Sequence, residues 1–202
     1  MTKHTIPASL RRIAKQFSGT LGVAARDLKS GDEIFLNADE VFPTASMVKI
    51  GILLELFRQR EAGALSLDET LTIRAADKTA GSGLIENMGD VTLTLHDIAV
   101  LMNAISDNTA TNVLIDRLGI EAINAAMRDA GMANTHLFRK IAFTRKRTLK
   151  YPFFATGTPR DFMTLMANLY GRKLLNKQNT DAMLTIMRIQ KNMGNLTRYM
   201  RF

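Results

Sequence analysis

A hydroxyl and an amine stand three residues apart in Ser46-Met47-Val48-Lys49. On a helix, residues at that spacing share a face, so the Lys49 amine is within reach of the Ser46 hydroxyl. A serine hydroxyl attacks a carbonyl poorly until a base removes its proton. A lysine becomes such a base when partial burial lowers its pKa toward neutrality. A Ser-x-x-Lys tetrapeptide arises by chance about once in a chain of this length, so its placement carries the weight. This one follows Phe42-Pro43-Thr44-Ala45 and opens a strongly apolar stretch through Phe57. A helix N-terminus offers unpaired N–H groups and the positive end of the dipole to a developing oxyanion. The plainer alternatives are a helix cap for Ser46 and a surface position for Lys49. Ser106-Asp107-Asn108 is the second group, at a junction between two predicted helices where a loop presents side chains to a cleft. All three residue types also favour caps, so Asp107 can cap a helix while Ser106 and Asn108 face the cleft.

The elements that must position these groups are legible from spacing. Leu10, Ile13, Ala14 and Phe17 predict an amphipathic helix over 8–18. Thr20–Leu28 and Glu33–Leu36, separated by Lys29–Asp32 with Gly31, predict a hairpin. Ile50, Leu53, Leu54 and Phe57 predict a helix from Ser46 to Ala62. Thr94 with Asp97 starts another, running through Ile105, and Thr109–Leu118 and Ile120–Ala130 follow, ending at Gly119 and Gly131. Thr158-Pro159-Arg160-Asp161 combines an N-cap, a first-turn proline and an early acid, and opens a helix ending at Gly171. A last helix is predicted over Thr180–Asn192. The twelve methionines suit helical cores. One hairpin is too little sheet to stand alone, and its open edges predict either self-association or a bare apolar face.

Composition narrows the function. A chain of 202 residues, 46% hydrophobic and 23% charged, is long enough for one core without disulfides or a structural metal. The absence of cysteine excludes a thiol nucleophile and a zinc ribbon, and His4, His96 and His136 have no metal-ligand spacing. No metal or other cofactor is expected. No apolar run reaches the ~18 residues of a membrane span, and Met1–Leu10 lacks the apolar core of a signal sequence. The net charge of +8 concentrates in Arg139, Lys140, Arg145, Lys146, Arg147 and Lys150. Such a run is ordinarily a solvated face that steers anions, and charge alone does not make a nucleic-acid binder.

Together, Phe42-Pro43-Thr44-Ala45-Ser46-Met47-Val48-Lys49, Ile105-Ser106-Asp107-Asn108-Thr109-Ala110-Thr111-Asn112 and Thr158-Pro159-Arg160-Asp161 resemble the class A β-lactamase family of penicillin-recognising serine hydrolases. The likeness covers nearly the whole chain, read as one domain over 1–202 with a helical lobe over about 46–194. It implies an α+β fold, with an all-helical lobe against an antiparallel sheet with flanking helices. It also implies Ser46 as the acylated nucleophile, Lys49 as its proton acceptor or relay, Ser106 as proton donor to the leaving nitrogen, and Asn108 as a ligand of Lys49 and of the substrate amide. Substrates would be β-lactams or related amides and esters. The compartment would be periplasmic or extracellular, with the cytoplasm left open by the missing signal.

Two departures qualify this. The family's Lys-Thr-Gly or Lys-Ser-Gly strand, which lines the cleft opposite the nucleophile, does not follow Ser106-Asp107-Asn108, and Lys78-Thr79-Ala80 lies before it. The expectation is that the C-terminal strands are absent and the sheet is incomplete. Losing one oxyanion donor costs ~10²–10³ in rate. The family's Ω-shaped loop also supplies a glutamate for deacylation, whereas Gly131–Thr158 contains no Asp or Glu. Acylation with slow release, or a silent binding scaffold, is therefore expected.

Overall fold

The computed structural model describes residues 6–142 and 152–191. Its centre is α2 (Lys49–Glu61), in which Gly51 through Phe57 are all buried. A helix apolar on every side must be surrounded. Here the surround is α3 (Leu95–Ala104), α4 (Asn108–Leu118), α5 (Ile120–Asp129) and α7 (Lys177–Arg188). Gly51 sets the approach of α5, because a Cβ there would sit 2.6 Å from Met127 Sδ. The buried Glu55 carboxylate accepts a hydrogen bond from Gln59 Nε2 at 2.8 Å.

Several helix starts are fixed by a capping side chain. Thr94 Oγ1 accepts from Asp97 N at 3.0 Å to begin α3, and Asp107 Oδ1 accepts from Ala110 N at 2.9 Å to begin α4. Thr158 Oγ1 accepts from Asp161 N at 3.2 Å to begin α6 (Pro159–Tyr170). The last helix differs from expectation. It begins at Lys177, where Asn176 Oδ1 accepts from Asn179 N at 2.9 Å, and Thr180 lies inside it with its hydroxyl donated to Leu175 O. Asparagine is as good a cap as threonine, and Asn176 stands earlier. The first helix, α1 (Ala8–Gln16), buries none of its residues.

The predicted hairpin is present as β1 (Val23–Arg26) and β2 (Glu33–Leu36), in antiparallel register Val23↔Leu36 to Arg26↔Glu33. Asp27 Oδ1 caps its turn by accepting from Lys29 N and Ser30 N, and Gly31 takes the left-handed conformation (φ 77°) the turn needs. Among the described residues it gains no third strand, and α6 packs against β1. Two further strand groups were not expected. β4 (Thr70–Ile73) pairs with β5 (Val91–Thr94), two segments whose alternation of threonine with apolar residues is a strand signal. Short β3 (Phe42–Pro43), β6 (His136–Leu137) and β7 (Ala155–Gly157) make a sheet in the order β3-β7-β6. Strands of two or three residues carry no periodicity and are invisible to it. No helix among the described residues is long and apolar enough to cross a membrane.

Buried polar side chains staple the segment around β6. Asn124 accepts from Leu137 N and donates to Leu137 O, both at 2.9 Å, and Asn112 does the same for Ile141 at 2.8 and 2.9 Å. Asp161 Oδ2 accepts from Asn134 N and from Thr135 Oγ1, both at 2.8 Å. Replacing Asp161 with Ala removes the acceptor of Asn134 N and strands the buried Thr135 hydroxyl, at about 1–3 kcal/mol for that buried donor. The Asp161→Ala protein should therefore unfold at clearly lower urea than the parent. An unchanged midpoint would show that Asp161 staples nothing.

Candidate active site

Ser46 stands just past the end of β3, in a tight 3-10 turn (Ala45–Val48) that runs into α2. β3 pairs with β7, and Thr44 N donates to Ala155 O, so the small sheet fixes the entry to the turn. Ser46 is exposed, while Lys49, one turn on, is 5% exposed. No hydrogen bond engages the Ser46 N–H among the described residues, which leaves that donor available to an oxyanion.

Ser106 and Asn108 arrive from the junction of α3 and α4. Lys49 Nζ donates to Ser106 O at 2.8 Å, to Ser106 Oγ at 2.9 Å and to Asn108 Oδ1 at 3.2 Å. Ser106 Oγ lies 2.7 Å from Ser46 Oγ. All four sequence-predicted site residues therefore meet in one hydrogen-bonded group. The connection differs from the expected one in a single respect. Lys49 reaches Ser46 through the Ser106 hydroxyl, with no direct hydrogen bond between them.

The three contacts account for all three N–H groups of an ammonium. In the neutral amine, two N–H groups satisfy Ser106 O and Asn108 Oδ1, and the lone pair faces the Ser106 hydroxyl. Burial lowers the Lys49 pKa to about 8, and the charge of Asp107 opposes the fall. Roughly a tenth of the lysine is then the neutral base at pH 7.

Asp107 has the role expected of it and more. Besides capping α4, its Oδ2 accepts from Leu84 N at 2.7 Å and from Ile85 N at 3.0 Å. Asn108 donates from Nδ2 to Ala80 O at 3.1 Å and from its backbone to Ser82 O at 2.8 Å. Residues 80–85 are thereby bound along the Ser106–Asn108 junction. Gly83 makes this possible. Its φ is 128°, and a Cβ would lie 2.3 Å from the Asp107 carboxylate. Ser82 and Gly83 were not singled out from sequence, and the only local signal is the small-residue run Ala80-Gly81-Ser82-Gly83.

A cavity of about 330 Å³ opens beside Ser46, lined by Ala45, Ser46, Ser82, Asn108, Arg139, Ile141, Ala142 and Phe154. Among the described residues no Asp or Glu lines it. Lys29-Ser30-Gly31 has the letters of the family's cleft strand but forms the turn between β1 and β2. Of the basic run, Arg145, Lys146, Arg147 and Lys150 lie outside the described residues, and Lys140 pairs with Asp116 at 2.6 Å. Among the described residues no group of three or more His, Asp or Glu side chains could hold a metal.

An α+β fold with a helix-start serine linked to a buried lysine is the framework of an active-site-serine protein. This chain belongs to the beta-lactamase enzyme family, whose model matches residues 6–201. It is similar to a β-lactamase structure from Sphaerobacter thermophilus, at 32% identity and a TM-score of 0.89, over 96% of this chain and 73% of that one. A mutant of PBP-A, solved as an acyl-enzyme complex with penicillin G, matches at 29% identity and a TM-score of 0.81, over 92% and 69% of the two chains. A β-lactamase of Rhodobacter capsulatus is 29% identical over 154 residues, 76% of this chain. The chain spans about half the length of that relative.

Because position 83 combines a left-handed backbone with no room for a methyl group, Gly83→Ala should detach residues 84 and 85 from Asp107. Amide hydrogen exchange at Leu84 and Ile85 should then rise well above exchange elsewhere in the core. Equal protection in parent and variant would mean that the contact does not fix this loop.

Proposed function

We propose that the chain is a serine hydrolase of the class A β-lactamase type, acylated at Ser46 by β-lactams or by related amides and esters. The observation that carries the reading is the unbroken path from Ser46 Oγ to Ser106 Oγ to Lys49 Nζ, with steps of 2.7 and 2.9 Å. Neutral Lys49 takes the Ser106 proton as Ser106 takes that of Ser46, and the freed Ser46 Oγ attacks the carbonyl carbon. The C–N bond then breaks, and the proton returns from Lys49 through Ser106 to the departing nitrogen. Asn108 holds Lys49 in place and offers its amide to the substrate. Water finally cleaves the ester and restores the Ser46 hydroxyl. That step is slow here, because residues 131–158 offer no carboxylate base.

The domain is read as one β-lactamase-like unit over 1–202, acting in the periplasm or outside the cell, as the family resemblance implies. The two-stranded β1–β2 sheet supports self-association through its open edge. Nucleic acid is not a partner in this reading. A silent ligand-binding scaffold is the second reading, favoured by the absence of any Asp or Glu from residues 131–158.

Fluorescent penicillin should form a covalent adduct on Ser46, seen by intact mass and lost in Ser46→Ala. A folded protein that takes no label establishes the scaffold instead. Lys49→Ala should slow acylation by about 10²–10⁴ with the fold intact, and acylation at the parental rate would remove Lys49 from the mechanism. The reactive form is the neutral amine, so the acylation rate should rise with pH and level off above about pH 8. A flat profile from pH 6 to 10 contradicts Lys49 as the base.

A further inference from the structure

The turn at Ser106 is gripped on both sides by one residue of the neighbouring loop. The last carbonyls of a helix have no partner within it, and those at the end of α3 are taken up from outside. Asn103 O accepts from Gln190 Nε2 at 3.0 Å, and Ala104 O accepts from Lys191 N at 2.9 Å. Ser106 O accepts from Lys49 Nζ at 2.8 Å. Between these, Ile105 O accepts from the Ser82 hydroxyl at 2.9 Å. Two residues past Ser106, Asn108 N donates to Ser82 O at 2.8 Å. Ser82 thus holds the chain just before the turn with its side chain and just after it with its backbone. A hydroxyl on a free loop would hold nothing, but this loop is itself anchored. Ala80 O accepts from Asn108 Nδ2 at 3.1 Å, and the Asp107 carboxylate accepts from Leu84 N and Ile85 N.

We propose that Ser82 is a positioning residue for acylation, its hydroxyl holding Ser106 in the left-handed turn that sets the Ser106 hydroxyl between Ser46 and Lys49. This deepens the reading of Ser46 as the acylated nucleophile and rests on it. The φ of Ser106 is 60°, which is unfavourable for an L-residue. The direct way to relieve it is rotation of the rigid peptide unit that joins Ile105 to Ser106. That rotation carries Ile105 O with it, away from the Ser82 hydroxyl. Once released, the turn draws Ser106 Oγ away from Ser46 Oγ, now at 2.7 Å, and from Lys49 Nζ, now at 2.9 Å. The same motion breaks the bond from Asp107 N to Leu101 O at 3.2 Å, which closes around the left-handed residue.

The test compares Ser82→Ala and Ser82→Thr with the parent, with fluorescent penicillin as the probe. Ser82→Ala should slow labelling of Ser46 by about 2- to 10-fold, the range of one hydrogen bond between neutral groups. Ser82→Thr keeps a hydroxyl and should restore the rate. In a Ser106→Ala background the relay hydroxyl is already gone, so adding Ser82→Ala should cost little more. A loss of equal size in both backgrounds overturns the proposal, as does labelling of Ser82→Ala at the parental rate. A second arm needs no chemistry. Amide hydrogen exchange at Asp107 should quicken in Ser82→Ala and recover in Ser82→Thr, while Leu84 and Ile85 keep their parental protection. Unchanged exchange at Asp107 overturns the proposal, and so does a rise shared equally by Leu84 and Ile85. If penicillin does not label the parent, the hydrolase reading fails, and exchange at Asp107 alone decides whether Ser82 holds the turn.

Discussion

The withdrawal of one amine from water organises this protein. A lysine that is 5% exposed must find acceptors for every N–H it carries, or the burial costs several kcal/mol. Lys49 finds three, all from Ser106 and Asn108, nearly sixty residues away in sequence. The start of α2 and the junction of α3 with α4 are therefore tied together through this amine. Neither segment can drift without leaving a buried donor unpaired. Burial disfavours the charged amine, and the nearby Asp107 charge limits how far its pKa falls. The balance leaves the amine able to exchange its proton near neutral pH.

What supports that register is a set of buried polar staples rather than surface charge. Asp107, Asn112, Asn124 and Asp161 are each at most 4% exposed, and each satisfies backbone groups of a segment remote in sequence. Losing such a partner leaves a buried donor or acceptor unsatisfied, at about 1–3 kcal/mol. The exposed ion pairs, such as Arg160 with Asp39 or Arg172 with Asp181, lie in water that screens them and contribute little beside the staples. The staples decide where the loops around the cavity lie. The apolar interior around α2 supplies the cohesion, and the staples supply the address.

Much of this was legible in the sequence because the site lies at helix starts, and helix starts have a local code. Thr94 with Asp97 and Thr158 with Pro159 and Asp161 state their roles within four residues, and the structure places each cap where the spacing put it. The Ser46–Lys49 pair and the Ser106–Asn108 run were visible for the same reason. The relay through Ser106 was not visible, since which hydroxyl stands between two groups is a matter of tertiary distance. Nor was Gly83, which matters through one contact with a side chain twenty-four residues on. Strands β3, β6 and β7 escaped because two or three residues cannot show a period. Strands β4 and β5 did show one, in Thr-Leu-Thr-Ile and Val-Thr-Leu-Thr, and the helical patterns around them obscured it.

Backbone strain sits next to the chemistry. Ala45 and Ser106 both hold positive φ, at 45° and 60°, a conformation that costs an L-residue about 1–2 kcal/mol. Both are turning points into a helix, one residue before Ser46 and one before Asp107. Had α3 continued through Ser106, its carbonyl would have pointed along the helix axis toward an N–H four residues on. The left-handed turn instead gives Lys49 both the carbonyl and the hydroxyl of the same residue, at 2.8 and 2.9 Å. One strained residue thus supplies two of the three acceptors the buried amine requires, and the same hydroxyl is the bridge to Ser46. The conformation persists because its surroundings over-determine it: Asp107 caps α4 directly after it, and Asn108 N is bound to Ser82 O. A relaxed junction would satisfy the backbone better and the lysine worse, and it would break the hydrogen-bonded path from Lys49 to Ser46.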